Sequence, residues 1–296
     1  MTLLTSHTVD VSGVRTHALI GGDHRLPATV FLQSNVPGVT PYCAGSHVWG
    51  DVLGAFAQHR RVIALDTLGC GDSGAIDEVP TIDAIARHVT SYLDHQGLRH
   101  VQLVGHDVAG MVALSIAMDR PDLLASVSVV SSAWAAPSGD GVDNLALLAP
   151  PQPLWSRDSQ FWAFDRLSYG HQHIDDTLID AAVAAADGTA HQASAKAMSG
   201  DGYARVFAAS AMKVKFRLFS VAREAGIAVP VQVICGNKDP LVGVDHSKWL
   251  FQIVAQRQVA SQYHLINRAG AFPFREQPDE FRRIVTAFQD GLQLAA

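Results

Sequence analysis

The sequence predicts an α/β chain: a mostly parallel, eight-stranded sheet with helices on both faces, interrupted by one helical insertion. Three observations carry this expectation. Runs of Val, Ile, Leu and Ala recur at residues 28–32, 61–65, 101–104, 124–130 and 229–235, the pattern of strands buried on both faces of a parallel sheet. Helix-length stretches lie between them. Residues 82–96, for example, start behind Thr81, stop at Gly97 and carry Ile82, Ile85, Ala86, Val89 and Leu93 on one face, as a capped amphipathic helix does. From Trp134 to Ala225 the alternation lapses into helical patterns rich in aromatic and His residues. The expected division is therefore a core of residues 1–133 and 226–296 around a helical unit of residues 134–225.

In chain order, residues 7–11 and 14–20 read as strands joined at Ser12-Gly13, an antiparallel hairpin at the sheet edge. Strand 28–32 leads into a Pro- and Gly-rich loop, a helix over 48–58 and strand 61–65. His88 and His95, on the helix 82–96, are expected at the surface. After strand 101–104 a helix begins near Val108 and ends at Asp119-Arg120-Pro121. Strand 124–130 stops at Ser131-Ser132. Beyond the insertion come strand 229–235, helix 245–255, strand 262–266 and helix 278–292.

Composition bounds the function. With 296 residues, 48% hydrophobic and 17% charged, the chain can bury a large core. A net charge of -6 without any Lys/Arg run argues against nucleic acid or an anionic membrane as partner. Residues 1–11 have neither a basic start nor an apolar run, so no signal peptide is expected. No stretch is apolar enough to span a bilayer. The 3 cysteines, Cys43, Cys70 and Cys235, are scattered and odd in number, which suits a reduced cytoplasm. They have no metal-ligand spacing, and neither metal nor other cofactor is expected. The expected partner is a small-molecule substrate, with a homodimer left open.

The chemistry concentrates at Val101–Gly110. An apolar strand turns abruptly into a helix through Gly105-His106-Asp107-Val108-Ala109-Gly110. Small residues let helix and strand pass closely, and the turn lifts Asp107 to a helix N-terminus. An ordinary Asp helix cap is the plainer alternative. Three further segments complete the pattern: Asp66-Thr67-Leu68-Gly69-Cys70-Gly71-Asp72-Ser73, Gly236-Asn237-Lys238-Asp239-Pro240, and Ala269-Gly270-Ala271-Phe272-Pro273-Phe274-Arg275-Glu276-Gln277-Pro278. Together they resemble the α/β-hydrolase family in its epoxide-hydrolase and dehalogenase branch, where the elbow carries Asp in place of Ser.

The resemblance implies the α/β-hydrolase fold with a helical cap over residues 134–225, Asp107 as nucleophile and Asp239 as the acid of a triad. It implies an oxyanion hole from the Val108 amide and the loop after the third strand, where Ser34 and Asn35 follow Gln33 instead of the usual His-Gly. It also implies a histidine at position 271. Alanine stands there. His106 and His264 are set aside as substitutes, the first packing away from the cleft and the second within a strand. Either an engineered His→Ala inactivation or a natural loss accounts for Ala271, and the otherwise intact surroundings favour engineering.

An attacking carboxylate suits an epoxide or an alkyl halide, because it forms a stable alkyl ester, whereas attack on an ester gives an anhydride that reverts. Val108 stands where dehalogenases of the family place a halide-binding Trp or Arg, so epoxide outranks halide. Tyr169 and Tyr203 are the expected proton donors of the cap, and Trp134, Trp155 and Trp162 its expected pocket-lining residues. Three alternatives stay open: a dehalogenase, a cyclase or lyase in which Asp107 moves protons, and a ligand-binding pseudo-enzyme.

Overall fold

The structure, a computed structural model, describes residues 4–138 and 145–293, with the main chain alone for Ser34 and Gln293. Eight strands form one sheet: β1 (Thr5–Val11), β2 (Val14–Gly21), β3 (Ala28–Ser34), β4 (Arg61–Asp66), β5 (Val101–Asp107), β6 (Leu124–Val130), β7 (Val231–Gly236) and β8 (Gln262–Ile266). Their order is β1-β2-β4-β3-β5-β6-β7-β8. β1 and β2 form the expected hairpin, turning through Ser12 and Gly13 at φ 55° and 85°. β2 meets β4 antiparallel, and all other pairs are parallel. The chain leaves β4, crosses β3 and returns as β5, the kind of reversal at whose carboxyl ends open sheets bind ligands.

The helices are α1 (Val52–Phe56), α2 (Ile82–His95), α3 (Val108–Asp119), α4 (Arg157–Leu167), α5 (Asp176–Asp187), α6 (Thr189–Met198), α7 (Ala208–Glu224), α8 (Val244–Val254), α9 (Pro273–Glu276) and α10 (Pro278–Gln293). Two apolar layers sandwich the sheet, one built with α2, α3, α7 and α8 and the other with α1, α4, α5 and α10. β5 and β7 are buried throughout. α3 is buried from Val108 to Ala117 because it is wedged between the sheet, α2 and α7, which explains its lack of a polar face.

Three expectations need correction. The helix over 48–58 is split into a 3-10 turn, Ser46–Trp49, and α1, because Gly50 takes φ 61° and leaves room that the Arg275 guanidinium fills. β5 continues to Asp107 itself. His88 is buried, with Nε2 2.8 Å from the Thr16 hydroxyl.

Between β6 and β7 stand α4 to α7, the last entered through a π-helical turn, Gly202–Phe207. This insertion is stitched to the loops at the strand ends. Trp155 Nε1 donates to the Thr40 carbonyl at 2.9 Å, and the Cys43 amide donates to Gln160 Oε1 at 2.8 Å. At Gly38 a Cβ would come within 2.8 Å of Ala195 Cα, so only glycine lets α6 seat there. Among the described residues no helix is long and apolar enough to cross a membrane.

Candidate active site

Asp107 ends β5 at φ 50°, ψ −116°, a conformation that non-glycine residues rarely hold and that concentrates at functional sites. The sequence makes this bend possible. A Cβ on Gly105 would run into the Ala109 carbonyl, and one on Gly110 would come within 2.9 Å of Ser132 Cβ and Val129 Cγ1. Ser132 Oγ donates to the Asp107 carbonyl at 2.5 Å and locks the bend. The carboxyl is 6% exposed and forms no ion pair among the described residues. Burial and then the Asp239 charge push it up to about 7, and the Val108 amide opposes them.

Asp239 follows β7 in a turn where Oδ1 accepts the Leu241 and Val242 amides at 2.8 and 3.1 Å. Its Oδ2 is shut off from solvent and has no hydrogen-bond partner among the described residues. Burial pushes this carboxyl up to about 6. The two amides and the nearby Ser131 hydroxyl pull it down, and Glu276 pushes it up.

The closing segment, where the sequence resemblance implies a histidine, carries Ala271 with its main chain held on both sides. The Ala271 amide donates to Leu167 O at 2.8 Å, and its carbonyl is 2.7 Å from His106 Nε2. Glu276 ties the loop to the insertion by accepting the Gly270, Tyr169 and Gly170 amides, each at 2.8 Å. His106 therefore holds the loop from below, its other nitrogen meeting the Gln33 amide at 2.9 Å. Burial holds its pKa down to about 4, so it is a neutral strut and no base.

The structure adds a residue that sequence reasoning passed over. Tyr42, 1% exposed, sits on the loop after β3 against Phe164 and Phe272, at ring distances of 5.0 and 5.8 Å. Burial, and after it the Asp107 charge, raise its phenol well above the ordinary value, with Asp239 contributing further down. Asn35 Nδ2 donates to the Tyr42 carbonyl at 2.5 Å and so orders the loop. The available signal was a single aromatic, Pro41-Tyr42, in a stretch otherwise read as turn.

Other expected residues are dispersed. Ser34 ends β3 in register with Asp107. The side chain of Asn35 serves Tyr42, and the Val108 amide acts on Asp107 itself. Tyr169 is 47% exposed and is not brought to Asp107, because the turn after α4 points it outward. Tyr203 stacks on Phe207 at 6.2 Å, and Trp134 packs edge-on against the same ring at 5.2 Å. Trp155 lies against His191 at 5.0 Å, and Trp162 lies under the Arg166 guanidinium at 5.3 Å. These aromatic side chains fix the insertion to itself and to the core. Cys43, Cys70 and Cys235 are buried and form no disulfide. His17, Asp66 and Asp72 bring three ligand atoms within 4.8 Å of one another. Asp66 is, however, already held by His17 and two amides, which suits a clamp better than a cation.

The fold is shared with known proteins. A profile of the alpha/beta hydrolase family matches residues 36–284. The chain belongs to that family. Among alpha/beta hydrolases it is 26% identical over 272 residues to the 2-hydroxymuconate semialdehyde hydrolase of Pseudomonas sp. (strain CF600), covering 90% of this chain and 88% of that one. It is 27% identical over 196 residues to the dihydrolipoyllysine-residue acetyltransferase component of the acetoin cleaving system of Pseudomonas putida, spanning 66% of this chain and about half, 49%, of that relative's length. The solved structure of the CarC serine hydrolase of carbazole degradation superposes with a TM-score of 0.75 at 20% identity, over 97% of this chain and 99% of that one. That likeness speaks for the fold.

Proposed function

We propose that this alpha/beta hydrolase acts on a neutral, apolar small molecule by proton transfer through Asp107, with Asp239 and Tyr42 beside it, and not through a histidine relay. One observation carries the reading. Two buried carboxyls lie within electrostatic reach of each other, no cation among the described residues shifts the Asp107 charge, and alanine stands where the resemblance implies an imidazole. Such a pair holds one proton between them near neutral pH, so each can give or take it. An anionic substrate meets like charge here, which separates this site from one built for a carboxylate. In this reading the Tyr42 phenol, close enough to feel the Asp107 charge, donates a hydrogen bond to oxygen where negative charge develops. The helices between β6 and β7 serve as the cap that keeps water out.

A second reading rests on the elbow. Asp107 is presented as a nucleophile would be, and attack on an epoxide gives an alkyl ester on Asp107. With no imidazole to activate water, that ester persists, so this reading predicts a stable adduct and no sustained hydrolysis. The same outcome is expected of an inactivated epoxide hydrolase or of a dehalogenase given a halide.

One experiment separates the readings. The protein is incubated in D2O with neutral enolisable ketones, and in H2-18O with styrene oxide and 1-bromobutane. Proton transfer predicts deuterium at carbon next to the carbonyl, or rearranged product free of 18O, both lost in Asp107→Asn. A mass increase confined to an Asp107 peptide overturns it in favour of the ester. Equal rates for the native protein and Asp107→Asn with every ketone also sink it.

A further inference from the structure

At the opposite end of the sheet from Asp107 the strand starts surround a cavity of about 780 Å3, within the size range of small-molecule sites. Ala28, Arg61, Gln102 and Leu124, at or near the starts of β3, β4, β5 and β6, all line it. Gln102 is five residues before Asp107, which at about 3.3 Å per strand residue puts the cavity roughly 17 Å from the elbow. Its wall is apolar, with Leu26, Leu98, Val229 and Pro230 among the lining residues. The cations at this rim differ in one respect. Arg25 is paired with Asp23 and Arg99 with Asp94. The Arg61 side chain, partly buried, has no hydrogen bond or ion pair to any described residue. Its Nε is buried without a partner, while its terminal nitrogens stay accessible.

An arginine left unpaired on an apolar wall is a receptor for a planar anion, because its terminal nitrogens match a carboxylate in a two-point contact. Apolar lining around it selects a hydrocarbon tail. We infer that this cavity binds an amphipathic carboxylate, such as a medium-chain fatty acid, with its head on Arg61 and its tail along Leu26, Leu98 and Val229. The site is separate from the catalytic end, where two buried carboxyls repel the same ligand.

Calorimetric titration of the whole protein with decanoate tests this. One site is expected, weakened at least tenfold by Arg61→Gln and less by Arg61→Lys, which keeps the charge but loses the planar fork. Ala228→Trp, which fills the cavity from its rim, abolishes binding without touching Arg61. Asp107→Asn leaves binding unchanged, and 1-decanol binds at least tenfold more weakly than decanoate. No binding by the native protein overturns the inference. So does equal binding by Arg61→Gln, equal binding of 1-decanol, or tighter binding by Asp107→Asn, which places decanoate under the cap beside the carboxyls that repel it.

Discussion

Asp66 and Asp107 end β4 and β5 on either side of β3, Asp66 in register with Gln33 and Asp107 with Ser34. Both are nearly out of solvent, at 1% and 6% exposure. Asp66 is enclosed by donors: His17 Nδ1 at 2.6 Å and the Asp72 amide at 2.9 Å on Oδ2, and the Ser46 amide at 2.5 Å on Oδ1. Asp107 has its own helix amide and a second carboxyl. The same side chain at the same sheet edge is scaffold where its oxygens are occupied. Where they are free it is available for chemistry, at a cost in stability.

Asp107→Asn is the largest test of this contrast. Activity through Asp107 is expected to fall by about 10³-fold or more, the upper part of what a positioned proton-transfer group contributes. Stability moves the other way. The folded-state pKa of about 7 lies above that of an unfolded aspartate, so the native state keeps a proton that the unfolded chain releases. Stability therefore falls as pH rises from about 4 to 7, by on the order of 4 kcal/mol for this group. In Asp107→Asn that slope disappears. Urea unfolding at pH 4 and pH 8 checks it: little difference from the native protein at pH 4, and a more stable variant at pH 8. A variant less stable at both makes Asp107 a scaffold residue like Asp66.

Asp66→Asn is the converse. Breaking a buried, hydrogen-bonded partner of His17 costs about 3 kcal/mol. The turnover of the protein that remains folded is expected to be unchanged. Asp66 raises the pKa of His17, mainly by their hydrogen bond. That contribution is complete below the ordinary histidine value and is lost as pH rises through the raised one, so the native protein loses it on the alkaline side. The Asp66→Asn variant lacks this alkaline loss. A fall in turnover per folded molecule would mean that the two aspartates are coupled.

Tyr42→Phe has a smaller effect. Removing one donor to a developing oxyanion is expected to lower kcat about 10²-fold or less with KM little changed. Stability should change by under 1 kcal/mol, since the hydroxyl makes no hydrogen bond to a described residue and the ring stays packed on Phe164 and Phe272. If KM rises and kcat holds, Tyr42 only shapes the pocket.

The sequence made the scaffold legible because strand burial and turn chemistry are local. The Val/Ile runs became β5 and β7, Thr81 caps α2 by accepting the Ala84 amide, and Gly105 and Gly110 stand where a Cβ is excluded. For the candidate site the sequence offered motifs only at Asp107, Asp239 and Ala271, which stand at the end of β5, after β7 and after β8. Tyr42 escaped because the rings it packs on, Phe164 and Phe272, are far away in sequence, and no periodicity reports such contacts. Tyr169 and Tyr203 misled for the matching reason: membership of the insertion says nothing about which way a ring points. His88 was taken for surface because its partner, Thr16, is far away in sequence.

The finest test is Ala271→His. The main chain at this position is held from both sides, by Leu167 and His106, so the backbone does not depend on the side chain. A ring added at a residue 1% exposed crowds Phe272 and its neighbours, which by itself costs about 1–3 kcal/mol. A ring that reaches the orphaned Oδ2 of Asp239 regains part of that as a hydrogen bond, leaving a net loss of about 1 kcal/mol. The decisive readout is chemical. With imidazole between the two carboxyls, an ester formed on Asp107 becomes hydrolysable, so styrene oxide is expected to give diol carrying 18O from solvent, over many turnovers. A variant that folds, loses the full 1–3 kcal/mol and makes no diol shows that the space beside Asp239 was never shaped for a ring. The alanine is then native to the proton-transfer site and no scar of a lost hydrolase.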